Sequence, residues 1–251
     1  MSATDRTVLI ATIAELLAGV RHVAVGASSP IPAAGAMLRR ALDEAAGKPT
    51  VRLSILGSVR HNFFTNGGVE LFDCAGQGRI DAFFLGGGQI DGEANINLVG
   101  AGTYPEVDVR WPGSFGSAYL YYVIPRVILF REEHSPRVFV PKVDFVSAPG
   151  VSEPGTFRTG GPYALLTGKG LFDFDKARRR FALRSLHPGH TLDEVVAATG
   201  FRFDHAPAPV TTPASSPEVT HLLRTRVLDE LSETYPDFAA SLRRDMAAAA
   251  A

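Results

Sequence analysis

Residues 83–100 read FFLGGGQIDGEANINLVG: an apolar run, three glycines, then Gln89, Asp91, Glu93, Asn95 and Asn97 at alternate positions. Gly86, Gly87 and Gly88 carry no side chain, so the backbone there can come close to whatever lies beside it. The dinucleotide fingerprint needs a third glycine and a following helix. Here Asp91 stands at that position, and ANINLV alternates like a strand. A phosphate-binding P-loop needs a Gly-Lys-Ser/Thr that does not follow. The remaining chemistry is a substrate-lining loop built from Gly86, Gly87, Gly88, Gln89, Asp91, Asn95 and Asn97. It would lie at the carboxyl end of a predicted parallel strand, where open α/β sheets put ligands. The competing reading stays open: Asn95 and Asn97 satisfy turn backbone, and Asp91 caps the turn. Glu93 is the one nucleophile candidate inside the loop, set against an ordinary solvated glutamate. A second turn, WPGSFGSAY, offers backbone N–H groups around Gly113, Ser114 and Gly116 that could face a developing oxyanion.

Other chemistries find little support. Only His187 and His190 of seven histidines lie close together, across HPGH, and no carboxylate accompanies them, so no metal site is expected. A Gly-x-Ser-x-Gly nucleophile elbow is absent. The single cysteine, Cys74, has no activating neighbour and forms no internal disulfide. Formal net charge is -1, which leaves no electrostatic footprint for nucleic acid. The basic run Lys176 to Arg180 is isolated and reads as a solvated turn. No apolar run reaches the ~20 residues that span a bilayer. With no signal-peptide pattern at the start, a cytoplasmic protein that meets neither membrane nor nucleic acid is expected.

The elements that must position these residues follow from periodicity and punctuation. TDRTVLIATIAELLAG predicts a helix capped at Thr4 or Asp5 and stopped by Gly19. HVAVG is a short buried strand. SSPIPAAGAMLRRALDEAAG predicts a second helix with Pro30 and Pro32 in its first turn and Gly47 at its end. VRLSIL and GRIDAFFLGGG supply further strands. Their alternation with helices argues for an α/β core with parallel strands. The second half is β-rich: EVDVRW, AYLYYVI, RVILF, RVFV and DFV, then two strands joined by a polar turn in YALLTGKGLFDFDKARRRFALRSL. TLDEVVAATG predicts a short helix with a capping box of Thr191 and Glu194. The domain reading is an α/β body over residues 1–205, a proline-rich linker over 206–217, and a helical extension over 218–251. Its single helix runs from about Pro217 to Met246.

Four stretches, in order, resemble one family. GGGQIDGEANIN is similar to the Gly-x-x-Gln-Ile/Val-Asp-x-x-Gly/Ala-Asn-x-Asn signature of the β subunits of glutaconate-type CoA-transferases. PGSFGSA resembles that family's Pro-Gly-Ser-Gly-Gly loop. LLTGKGLFDFD followed by LRSLHPGHTLDEVVAATGF resembles its C-terminal signature, and VGASSPIPAAGAMLRRA its early turn and helix. The resemblance spans Thr7 to Phe203 and leaves out the last helix. It implies an open, mostly parallel sheet flanked by helices, of the CoA-transferase type, with a β-rich second half. It also implies an α subunit as partner, an acyl-CoA thioester as substrate and no tightly bound cofactor. Lys176 to Arg180 would be placed to meet CoA phosphates, beside its reading as a solvated turn.

In the family's transferases a β-subunit glutamate attacks the acyl-CoA carbonyl and carries CoA to a second carboxylate. That glutamate should follow the strand after the second helix, where this chain reads LSILGSVRHNFF. Ile55, Leu56 and Gly57 hold no carboxylate, and Glu70 is the nearest one downstream. The expected function is therefore CoA transfer with the nucleophile absent from this chain. A related branch also lacks the glutamate: the β subunit of the heteromeric hydrolase that opens the last steroid ring. It implies hydrolytic C–C cleavage of a ring-containing CoA thioester as the alternative. A non-catalytic structural subunit is the third reading.

Overall fold

The computed structural model describes residues 3–65 and 67–248, with side chains from residue 6 onward. The cap expected at Thr4 or Asp5 therefore lies outside the described side chains. Contacts divide the chain into two units. One comprises the chain up to Gly67, Ile80–Ala82 and the chain from Pro213 onward; the other comprises Gly68–Arg79 and Phe83–Thr212.

In the first unit, α1 (Ala3–Leu16) buries Val8, Leu9, Ile10, Ile13 and Leu16, an apolar surface too wide for a one-sided surface helix. After Gly19, in the left-handed region at φ 74°, the chain enters β1 (His22–Val25). α2 (Pro30–Ala45) begins with prolines whose missing N–H costs nothing in a first turn. A Cβ on Gly35 would lie 2.3 Å from the Ile13 side chain, so this glycine lets α1 and α2 pack closely. β2 (Arg52–Ile55) runs parallel to β1, in register from His22 with Arg52 to Val25 with Ile55.

The second unit takes all but the first residue of α3 (Gly67–Gly76), a helix hidden in the sequence by glycines at both of its ends. β3 (Ala82–Leu85) is buried throughout. Two small hairpins follow: β4 (Gln89–Ile90) with β5 (Ile96–Asn97), and β6 (Gly100–Ala101) with β7 (Val109–Arg110). Then come α4 (Ser117–Val123), β8 (Arg126–Arg131), β9 (Pro162–Thr167), β10 (Gly170–Asp175), β11 (Arg180–Leu186), α5 (Leu192–Ala197) and β12 (Val210–Thr211). Within this unit the sheet order is β12-β11-β10-β9-β8-β3. β8 pairs β9, and β11 pairs β12, in parallel; β10 runs antiparallel to both of its neighbours. This sheet, flanked by helices, is the α/β architecture expected.

In the first unit, α6 (Pro217–Leu222) is capped by Ser216, whose hydroxyl accepts from Val219 N–H at 3.2 Å. It runs through a π-helical turn (Leu223–Val227) into α7 (Leu228–Leu231). α8 (Pro236–Ala248) is a separate helix. The single final helix expected is thus broken at residues 232–235. Pro236 has no N–H to continue the ladder and disfavours helical backbone at Tyr235. Leu223, Leu231, Ala239 and Leu242 are fully buried, so this segment is core rather than appendage.

Other expectations change for local reasons. AYLYYVI forms α4 instead of a strand: Ser117, Leu120 and Tyr121 are buried, the i, i+3, i+4 spacing of one helix face. RVFV and DFV form no paired strand; Val138 and Phe139 are buried, and Val138 O and Val140 N–H pair with Ile90 as an isolated bridge. The stretch read as two strands holds three, because Gly168–Lys169 makes a tight turn between β9 and β10. The proline-rich segment contains β12, which pairs with Ser185–Leu186.

Candidate functional site

The Gln-x-Asp-x-x-x-Asn-x-Asn stretch folds into a closed hydrogen-bonded knot around β4 and β5. Asp91 Oδ1 accepts from Glu93 N–H at 3.1 Å and Asn95 N–H at 3.0 Å, which makes the turn between the strands. Its Oδ2 accepts from Asn95 Nδ2 at 3.1 Å and Val143 N–H at 3.4 Å. Asn95 Oδ1 accepts from Gly150 N–H at 3.1 Å. Asn97 is 0% exposed: its Nδ2 donates to Gln89 Oε1 at 2.8 Å and Gly100 O at 2.7 Å, and its Oδ1 accepts from Val99 N–H at 2.9 Å. Gln89 Nε2 donates to Asp144 Oδ2 at 2.8 Å, and Gln89 Oε1 accepts from Asp144 N–H at 2.9 Å. All four residues come together, and their polar atoms face one another and nearby backbone. Buried polar groups hold their shape best when each has a partner.

The three glycines meet the chain's own atoms. A Cβ on Gly86 would lie 3.1 Å from Phe130 O, on Gly87 2.7 Å from the Ile96 side chain, and on Gly88 2.4 Å from the Trp111 ring. Glu93 is exposed at the turn, next to Ala94, which adopts the left-handed region at φ 62°. That strained turn is braced by Tyr121, whose hydroxyl donates to Ala94 O at 2.9 Å. Burial pushes the Tyr121 phenol well above its ordinary range, so it stays a donor. Arg158 packs over the Tyr121 ring and donates to Tyr121 O and Pro149 O at 3.2 and 2.9 Å. Asp144, Tyr121, Gly150 and Arg158 were not legible as parts of this knot. Only Gly150, where a Cβ would lie 2.1 Å from Glu93 O, carries a residue-type signal.

In the second turn Gly113 (φ 104°) and Gly116 (φ 69°) both need the left-handed region. The Gly113 N–H donates to Leu98 O at 3.1 Å. Ser114 is half-buried. Next in line, the Ser117 hydroxyl is buried with no hydrogen-bond partner among the described residues, and sequence reading passed it over. His187 uses both ring nitrogens structurally: Nδ1 lies 2.9 Å from Thr212 Oγ1 and Nε2 3.0 Å from Thr167 O. His190 N–H donates to His187 O, closing the turn at this pair.

At the end of β2, Leu56 N–H donates to Val25 O at 2.9 Å and Gly57 turns the chain at φ 89°. The site that resemblance assigns to a glutamate is thus a hydrophobic residue and a turn glycine.

Residues 46–198 match the family described as coenzyme A transferase, and the chain belongs to that family. Over 151 residues it is 32% identical to the B subunit of glutaconate CoA-transferase from Acidaminococcus fermentans, covering 57% of this chain and 56% of that one. Over 136 residues it is 30% identical to the cholesterol ring-cleaving hydrolase IpdB subunit of Rhodococcus jostii, covering 53% of each. The chain thus spans about half the length of the curated relatives it matches. The solved structure of Rhodococcus jostii IpdAB shares the fold, with a TM-score of 0.75 at 23% identity over 88% of this chain and 93% of that one. No described helix is long and apolar enough to cross a membrane.

Proposed function

We propose that this chain is the β subunit of a two-subunit cytoplasmic enzyme that moves coenzyme A between carboxylic acids, with the acting carboxylate on the α subunit. The observation that carries this is the end of β2: Leu56 and Gly57 stand where the resemblance puts the nucleophile, in a chain whose residues 46–198 match the family. The chain's contribution is a rigid site wall. The Gln89–Asp91–Asn95–Asn97 knot holds the Gly86–Gly88 strand end in one conformation, and the acyl-CoA thioester passes along it. The loop through Gly113, Ser114 and Gly116 turns backbone donors toward the thioester oxygen. The Gly113 N–H is already taken by Leu98 O, so its part is to shape the turn. The unpartnered Ser117 hydroxyl supports a donor role beside it. No tightly held cofactor is needed for such an exchange.

The absent carboxylate favours a second reading, hydrolytic C–C cleavage of a ring-containing CoA thioester. The likeness to the hydrolase subunit supports it. Co-expression with the α subunit decides between them. The purified complex is given a dicarboxylic acyl-CoA with a second carboxylate and, in a parallel reaction, a ring-containing CoA thioester, with mass spectrometry of both chains. Transfer predicts the second acid's CoA thioester and a covalent CoA adduct on the α chain. An adduct on this chain overturns the assignment of the nucleophile, and ring opening without transfer selects hydrolysis. A complex that binds no CoA thioester leaves only a structural subunit. Glu93→Gln leaves turnover within about twofold if Glu93 is an ordinary turn residue; a loss of about a thousandfold makes it the nucleophile.

A further inference from the structure

The C-terminal segment reaches the carboxyl ends of both β1 and β2. Tyr235 Oη donates to Gly26 O, just beyond β1, at 3.2 Å. Glu233 Oε1 accepts from Val59 N–H at 2.7 Å, and Glu233 Oε2 accepts from the Ser58 hydroxyl at 2.7 Å. Ser58 Oγ in turn accepts from His61 N–H at 3.0 Å. One turn earlier, Glu230 pairs with Arg40 of α2, and its Oε1 lies 2.5 Å from His61 Nε2. Ser58 and His61 are buried, while Val59 between them is 90% exposed. A loop that holds a valine almost wholly in water has little apolar burial of its own to keep it in place.

The geometry points to Glu233 as a positioning residue: its carboxylate latches the Leu56–His61 loop, so the place of the missing nucleophile is a fixed wall held from the C-terminal segment. Three donors already converge on this carboxylate, the third being Thr234 Oγ1 at 2.7 Å. Burial alone would raise its pKa, but hydrogen bonds from Ser58, Thr234 and Val59 and the nearby His61 hold it below the usual carboxylate range. A carboxylate so saturated accepts hydrogen bonds and does not attack. The latch goes beyond the acyl-CoA reading and stands or falls without it.

The donor pattern gives the test its discrimination. A glutamine has the reach of glutamate, and the Ser58 and Thr234 hydroxyls can reverse to accept from its NH2. The Val59 N–H keeps a carbonyl acceptor. An alanine supplies nothing. Amide hydrogen exchange of the full chain is measured over residues 56–62, with the paired β8–β9 amides as the internal reference. Glu233→Ala speeds exchange at Val59 and His61 about tenfold or more, the loss of roughly one hydrogen bond, with the reference unchanged. Glu233→Gln returns both to within about threefold of the native chain. Ser58→Ala removes the hydroxyl that links Glu233 to the His61 N–H while leaving the Val59 bond, so it opens His61 first and Val59 less, which covers a Glu233→Ala chain that does not fold. The proposal is overturned if both alanine variants leave these amides within about twofold of native, or if Glu233→Gln is as open as Glu233→Ala.

Discussion

Asn97→Asp is close to isosteric, yet it reverses half of the knot's hydrogen bonding. The native side chain is wholly buried, donating from Nδ2 to Gln89 Oε1 and Gly100 O and accepting at Oδ1 from Val99 N–H. Replacing the NH2 with oxygen keeps the accepting half. The other half becomes an oxygen facing two oxygens at 2.8 and 2.7 Å. Two hydrogen bonds are lost and an uncompensated buried charge takes their place, a change of the kind that costs about 3–5 kcal/mol. The expected cost near pH 7 is therefore about 3–5 kcal/mol, a large share of a typical domain's stability. The pH dependence is the sharper signature. Desolvation and the facing oxygens raise the introduced carboxyl's pKa in the folded state above its unfolded value of about 3.9. Between those two values the folded state binds more protons, so the penalty shrinks as pH falls through the folded pKa. The protonated acid can also donate one of the two lost bonds. Urea unfolding of native and variant chains, compared at matched pH from about 7 down to about 4.5, measures this. A cost below about 1 kcal/mol at neutral pH, or one that does not shrink on acidification, refutes the view that the Asn97 amide is an internal tie of the knot.

Gly88→Ala drives a methyl to 2.4 Å from the ring of Trp111, the sole tryptophan, so the ring must move. A red-shifted intrinsic emission is expected with a loss of about 1–3 kcal/mol; unchanged emission at native stability means the glycine is not there for the indole. His134 is held neutral, with its pKa lowered to about 4 by burial first and then by the charges of Lys169, His190 and His187. Its nitrogens lie 2.8 and 2.9 Å from Thr167 and Thr199 hydroxyls. Because the unfolded chain protonates near 6.5, the stability it supports is complete above that pH. That contribution is lost as pH falls toward 4, up to about 3 kcal/mol in all. Replacing His134 with Gln should flatten that acid limb of the unfolding curve; an unchanged limb assigns the acid sensitivity elsewhere.

The fold class, the helices α1 and α2, and the Thr191–Glu194 capping box were legible because they rest on periodicity and punctuation within a dozen residues. The box forms as read, with Glu194 N–H on Thr191 Oγ1 at 3.3 Å and the Glu194 carboxylate on Thr191 N–H at 3.0 Å. α3 escaped notice because glycines frame it, and α4 because its tyrosines favour strands until Tyr121 is buried under Arg158. The alternation of Gln89, Asp91, Asn95 and Asn97 showed that a polar loop follows the glycines. It left open whether their polar groups face a ligand or the turn backbone.

What the sequence alone determined was a coenzyme A transferase-type α/β chain with no carboxylate directly after its second strand, since both facts are matters of residue type and order. Tertiary structure alone decided what fills the space beside Gly88, which partners satisfy Asn97, and that Glu233 meets Ser58 across 175 positions of chain. Side-chain hydrogen bonds and close packing depend on distance in space. Nothing in local propensity encodes which distant residue the folded backbone will bring within ~3 Å.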